Sequence, residues 1–510
     1  MRRCIALLTI VVVSAGGQTV VNQGAAARFL QQATWGPTPD SIAHVQAVGF
    51  EKFIEEQLAA TPSKIPDVPA NAKGQEPLGP MQQQFFVNAV DGNDQLRQRV
   101  AFALGEIWVV SGVKLHDASE MVPYLRLLHQ DAFANYRQII NDVTLSPGMG
   151  HYLDMVNNDK PNSAKGTSAN ENYARELLQL FTIGLVELNS DGTAKLDVNG
   201  NSISTYDQET IEELARVFTG WTYAPKPGAA VKVHNPANWD APMVAVEKNH
   251  DTLPKVLFNT ANLPAGQTAE TDLNQALDTI FSHDNVGPFV CRQLIQHLVE
   301  SAPSPQYVER VAGVFADNGR GTRGDMAAVV KAILLDPEAR SGDTFMSDTT
   351  LGHLQEPVLF INGLLRALQA KAAVPNALPQ AGATMGQNVY LPDTVFNYFP
   401  PGYTIPGTNM NAPEFGILSP ATEITRANFV NALLYRKIAG VTVDLSPWAS
   451  LAGDPDRLLD AISNALYEGK MPANVRNAIL PAVQAATTNL AKAQTAWYLA
   501  ATCDQYQVQQ

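Results

Sequence analysis

Cysteine is almost missing from this chain, with three in 510 residues. The first, Cys4, lies in the N-terminal leader just before its apolar run, so removal of that leader would leave only Cys291 and Cys503 to pair. One bond at most does not make a disulfide scaffold, and no cysteine spacing of the metal-binding kind occurs. Past the N-terminus no stretch reaches the ~20 consecutive apolar residues that a membrane-spanning helix needs. Basic charge is also short: 35 lysines and arginines face 49 aspartates and glutamates, a net charge of −14. Phosphate backbones are held by lysine and arginine, so nucleic acid is excluded as a partner, and anionic lipid is disfavoured. The glycine-serine elbow of esterases, the glycine-lysine phosphate loop and the paired-histidine zinc helix are all missing. The run 319–324 has three glycines and two arginines but no strand before it, and reads as a turn between helices.

What is present begins with the leader. Arg2 and Arg3 precede the apolar run Ile5 to Val13, and Val13-Ser14-Ala15 sets small residues before Gly16. This is the layout of a secretory signal peptide over 1–15, so the mature chain is expected outside the cytoplasm, in the periplasm or beyond. A buried N-terminal helix is the structural alternative. Residues 16–510 are expected to form a single large helical domain, or two packed lobes divided near 222–270.

Helical periodicity dominates the mature chain. Helices are expected over 24–34, before Gly36-Pro37, then after Pro39, and over 50–60 with Phe53, Ile54 and Leu58 on one face. Others follow over 93–110, 119–130, 135–144, 272–282, 286–300, 305–315, 325–335, 355–370, 421–437, 455–467, 473–486 and 489–501. Two central helices carry fuller punctuation. Ser168 with Glu171 is a candidate capping box ahead of 172–181, and Thr205 with Gln208 repeats the device ahead of 209–218. Asp191-Gly192 and Asn199-Gly200 are turn dipeptides, so 185–205 is expected as a small β-hairpin excursion. Calcium at Asp197, Asn199 and Asn201 fails the EF-hand spacing. The irregular stretches 61–80, 222–267 and 377–420 are long for structureless loops, and such loops often carry function. The fold class is therefore mainly α, a large helical body with a β-hairpin excursion and long loops.

The stretch Asn170-Glu-Asn-Tyr-Ala-Arg-Glu-Leu-Leu-Gln-Leu-Phe-Thr-Ile-Gly184 resembles the signature of a bacterial family known as domain of unknown function 1800. Leu214-Ala-Arg-Val-Phe-Thr-Gly-Trp221 and Arg99-Val-Ala-Phe-Ala-Leu-Gly-Glu-Ile-Trp108 are similar to further landmarks of it. So are His151-Tyr-Leu-Asp154, His250-Asp251 with Lys255, 288–298, 396–401 and the ending Tyr506-Gln-Val-Gln. The resemblance covers essentially the whole mature chain. It implies an exported, mostly helical bacterial protein, often encoded beside an exported protein of the alkaline-phosphatase and sulfatase type, and it implies no reaction. Phe181 departs from the family, where many relatives have histidine, and the late loop is shortened to Tyr403-Thr-Ile-Pro-Gly407.

Candidate chemistry gathers in three polar clusters. Glu171, Glu176, Asn170 and Asn172 at the start of the signature helix offer oxygen atoms that suit a divalent cation or general acid and base work. Arg175 lies four residues after Glu171, so a structural ion-pair network, with Arg216 as a further member, is the competing account. His250 with Asp251 sets a carboxylate beside an imidazole; a capped turn histidine is its alternative. His151 with Asp154 is the third. If these walls meet, with the aromatic loop carrying Tyr398 and Tyr403 as a lid, the cleft suits hydrolysis or transfer on an extracytoplasmic polymer or glycan. In the rival expectation the protein binds without catalysis, and that loop contacts the phosphatase-like partner.

Overall fold

The structure is a computed structural model, and it describes residues 21–343 and 351–509. Residues 1–15, where a signal peptide is expected, lie outside that range. Among the described residues are 23 α-helices and four two-stranded antiparallel sheets. The molecule is therefore mainly α, as the periodicity indicates.

Local chemistry sets the helix ends. Asn22 accepts a hydrogen bond from the backbone N–H of Ala25 and starts the helix Gln23–Ala33. Thr38 and Ser41 form a reciprocal capping box at Pro39–Val48, and Gly49, at φ 83°, separates that helix from Phe50–Leu58. The stretch 222–267 supplies short strands: Trp221–Thr222 pairs with Val244–Ala245, and Lys255–Leu257 with Ala261–Leu263. In the expected hairpin excursion, isolated antiparallel bridges join Val186 to Ser204, Leu188 to Ala194 and Leu196 to Ser202.

Both expected capping boxes are replaced. The signature helix begins at Asn172, and Glu171 precedes it in helical conformation without capping it. Asn158 Oδ1 accepts from the N–H of Asn170, and Asn170 Oδ1 accepts from that of Asn172, so an asparagine turn does the work assigned to Ser168. The α-helix then covers only Asn172–Glu176 and widens into a π-helix over Leu177–Thr182. Two contacts accompany the widening: Tyr136 donates its hydroxyl to the carbonyl of Phe181, and the Phe181 ring packs on Trp108 at 4.7 Å. Before Gln208–Val217, Asp207 is the cap, because Thr205 spends its hydroxyl on the carbonyl of Gly184.

Two hydrophobic clusters organise the body. The first runs from Ala26 to Ala339 and includes Met243, Leu257 and Leu263. The second unites Trp35, Phe85, Phe86 and Phe102 with side chains between Val358 and Tyr506. The helix Gln95–Ile107 contributes to both, and 11 of its 13 residues are buried, which makes it the axle between them. The strand His353–Leu354 pairs with Val508–Gln509 beside this axle. No helix among the described residues is long and apolar enough to cross a membrane.

Candidate functional site

The polar clusters read from the sequence lie in distinct settings. His151 contacts Glu120 at 2.9 Å through Nδ1 and stacks on Trp239. Nearby Asp154, at φ 59°, accepts from Lys114 at 2.7 Å and from Asn172 at 3.3 Å, so the structure does bring the His151 region to the start of the signature helix. There Glu171 accepts from Arg175 and from Gln208, each at 2.9 Å. Glu176 is half-buried with one oxygen lacking a partner; burial pushes its carboxyl up, against the pull of Arg175.

His250 and Asp251 belong to a separate, interior network. His250 is fully buried, with Nδ1 at 2.9 Å from the carbonyl of Thr219 and Nε2 at 3.0 Å from Asp272. Lys255, also buried, reaches the same Asp272 oxygen at 2.6 Å. Asp251 takes a two-pronged contact from Arg216, whose guanidinium also grips Glu213 at 2.6 Å. Burial works to raise the Asp251 carboxyl, but the hydrogen bonds and charge of Arg216 hold it below the usual range. Gly220, at φ 86°, lets the chain pass this knot: a Cβ there would meet the backbone nitrogen of His250 at 2.9 Å. In the late loop, Tyr398 donates to the carbonyl of Asn388 at 2.6 Å and Tyr403 is half-buried, while Phe396 stays 46% exposed.

A different cluster forms where the two hydrophobic clusters meet. Glu106 ends the axle helix, His297 lies at the end of Val286–Leu298, and Glu356 precedes the first turn of Pro357–Ala367. Their ligand-type atoms all lie within 4.8 Å of one another. Glu106 Oε2 is 3.0 Å from His297 Nδ1. Gln387 donates to both carboxyls, and Asn397 donates to Glu106 at 3.3 Å. Arg99, fully buried, donates to the carbonyl of His297 and lies over the Trp35 ring. Glu414 stands nearby, held by Ser301 at 2.8 Å and 3.4 Å from His353.

The electrostatics follow from burial. It pushes the Glu106 carboxyl up to about 7, although hydrogen bonds from Glu356 and Asn397 and the charge of Arg99 oppose it. Glu356 rises to about 8, again through burial and then through the neighbouring Glu106. Burial lowers the His297 imidazole and brings the Arg99 guanidinium down to about 10. Two carboxyls this close in a dry site cannot both ionise cheaply.

One side of the cluster is open. Glu106 and His297 form part of the wall of a cavity of about 280 Å³, on which Gln179, Gln293 and Gln296 also lie. A second cavity, on the far side of Glu106, is apolar and holds only about 50 Å³. Sequence reading did not single out Glu106, His297 or Glu356. The signal for Glu106 was there: a carboxylate inside Phe102–Trp108 has no solvent face, because every fourth position around it is apolar.

The segments that carried the resemblance now have a spatial meaning. The landmark 99–108 supplies Arg99 and Glu106, 288–298 supplies His297, and 396–401 supplies Asn397. Comparison with curated proteins and with solved structures gave no match. Residues 28–508 match the model of the family described as Protein of unknown function (DUF1800), and since that span takes in nearly all of the sequence, the chain belongs to this family.

Proposed function

We propose that the protein is an exported hydrolase or transferase whose chemistry is seated at Glu106, His297 and Glu356, with a neutral, hydroxyl-rich polymer such as a glycan as its substrate. The observation that carries the reading is a buried carboxyl–imidazole cluster whose Glu106 and His297 line a cavity of about 280 Å³. The cavity wall includes no lysine or arginine, so it offers nothing to a phosphate or sulfate group. Its amides, with Phe289, Phe396 and Phe399, suit the alternating hydroxyl and C–H faces of a sugar. Export is supported by the Arg2-Arg3 and Ile5 to Val13 leader pattern.

The geometry also narrows the chemistry. Two-carboxylate glycosidases hold their carboxyls about 5–9.5 Å apart, with the sugar or a water between them. Glu106 and Glu356 touch, so they act as one unit on one side of a substrate. Glu106 and His297 face the cavity; Glu356 lies behind them and orients Glu106.

The test is release of reducing ends from a panel of neutral polysaccharides by the purified chain. Glu106→Gln is expected to lose about 100-fold or more in rate with an unchanged melting temperature. Full activity in that variant, or no turnover across the panel, overturns the reading. The non-catalytic alternative has one observation in its favour, the exposed ring of Phe396 on the late loop. Under it, Phe396→Ala would release a co-purifying exported partner of the phosphatase and sulfatase type.

A further inference from the structure

We propose that Glu106, His297 and Glu356 bind one divalent transition-metal ion of the zinc or manganese type. This deepens the functional reading above and rests on the same cluster being the seat of chemistry. The first argument is spatial. Metal–oxygen and metal–nitrogen bonds of about 2.0–2.2 Å bring ligand atoms to roughly 3–4.4 Å from one another. The three candidate atoms are already within 4.8 Å, so small side-chain adjustments enclose an ion.

The second argument is an unmet bond. Glu106 Oε2 is buried and has no hydrogen-bond partner, although His297 Nδ1 is only 3.0 Å away. The ring nitrogen and the carboxylate oxygen approach each other out of line for an N–H donor. Two ligand-type atoms this close with no hydrogen bond between them are what a cation relieves. The other oxygen of Glu106 is occupied, since Gln387 and Asn397 both donate to Oε1 at 3.3 Å. Such outer contacts fix which oxygen is left to ligate.

Charge and ligand type agree. Glu106, Glu356 and Glu414 are gathered near two guanidiniums, Arg99 and Arg426, so ionising all three leaves a negative charge for a cation to balance. An imidazole ligand suits a transition ion, whereas calcium takes six to eight oxygens. Because Glu106 and His297 line the cavity, a further coordination position faces it. There a bound ion would supply a water that ionises near neutral pH.

The test uses the whole mature chain, stripped with a chelator and titrated with Co²⁺ or Zn²⁺ alone. One ion per chain is expected, with visible Co²⁺ bands characteristic of imidazole and carboxylate ligands. Glu106→Gln and His297→Gln should each weaken binding about 100-fold or more, and Asn397→Ala about 10-fold. Absence of saturable binding, or unchanged affinity in the folded variants, overturns the inference. If the buried variants fail to fold, Asn397→Ala on the outer loop decides, and unchanged affinity there overturns it. The two readings fail separately. Metal bound without turnover of any polysaccharide sinks the hydrolase reading alone, and turnover that survives full chelation by a metal-free chain sinks the metal site alone.

Discussion

His250 and His297 are both buried beside carboxylates, and their surroundings differ. Around His250, both ring nitrogens, Lys255, Asp272, Asp251 and Arg216 each meet a partner of opposite character. Around His297, one carboxyl oxygen is unmatched, two carboxyls crowd each other, and a cavity begins. The residue types are nearly the same. What separates a brace from a reactive centre is whether the hydrogen bonds close on themselves.

That contrast can be broken directly. The largest effect is expected at Asp272→Asn, which leaves Lys255 charged and unpaired in the interior and should cost about 3–5 kcal/mol in urea unfolding at pH 7. Glu106→Gln and Glu356→Gln, at equally buried positions, should each change stability by less than about 1 kcal/mol. Equal losses at the two clusters would erase the distinction.

A buried carboxyl with no cavity sharpens it next. Glu300 has an unpaired oxygen, and burial, then the charge of Glu338, pushes it up to about 8. Its folded form prefers the proton, so the stability it contributes is full below its unfolded value of 4.5 and drains away as pH rises through 8. Glu300→Gln cannot ionise. It should match the parent at pH 4 and gain at most about 5 kcal/mol at pH 9, at ~1.36 kcal/mol for each pH unit between 4.5 and about 8, read from unfolding midpoints across that range. An equal gain at both pH values would mean that ionisation is not the cause.

The smallest effect is expected at Glu171→Ala. Its partner Arg175 is about two-fifths exposed and four residues away, an arrangement worth about 0.3–0.5 kcal/mol and screened by salt. A melting temperature lowered by more than about 3 °C would show that this pair resembles the His250 network more than a surface contact.

Most helices were legible because periodicity, prolines and caps act within a few residues. The signature helix was legible in place but not in form. Its π turn coincides with the Tyr136 hydroxyl on Phe181, a contact across 45 positions that no local pattern records. His250 and Asp251 were visible as a pair, yet adjacency says nothing about Thr219 and Asp272, which close the network. Glu106, His297 and Glu356 come from three distant segments, and only the packing of those segments makes them a group. The leader pattern over 1–15 lies outside the described residues.

The strand Val508–Gln509 has a consequence for how the Glu106 cluster is held. It pairs with His353–Leu354, Gln507 accepts from the N–H of Gln355, and Gln509 reaches the carbonyl of Leu298. Residues 507–509 thus fasten the immediate neighbours of Glu356 and His297 from a segment that supplies none of the three side chains. The clasp and the cluster are separate parts of the sequence, so a change confined to the clasp can loosen the geometry of the cluster while leaving its chemistry untouched.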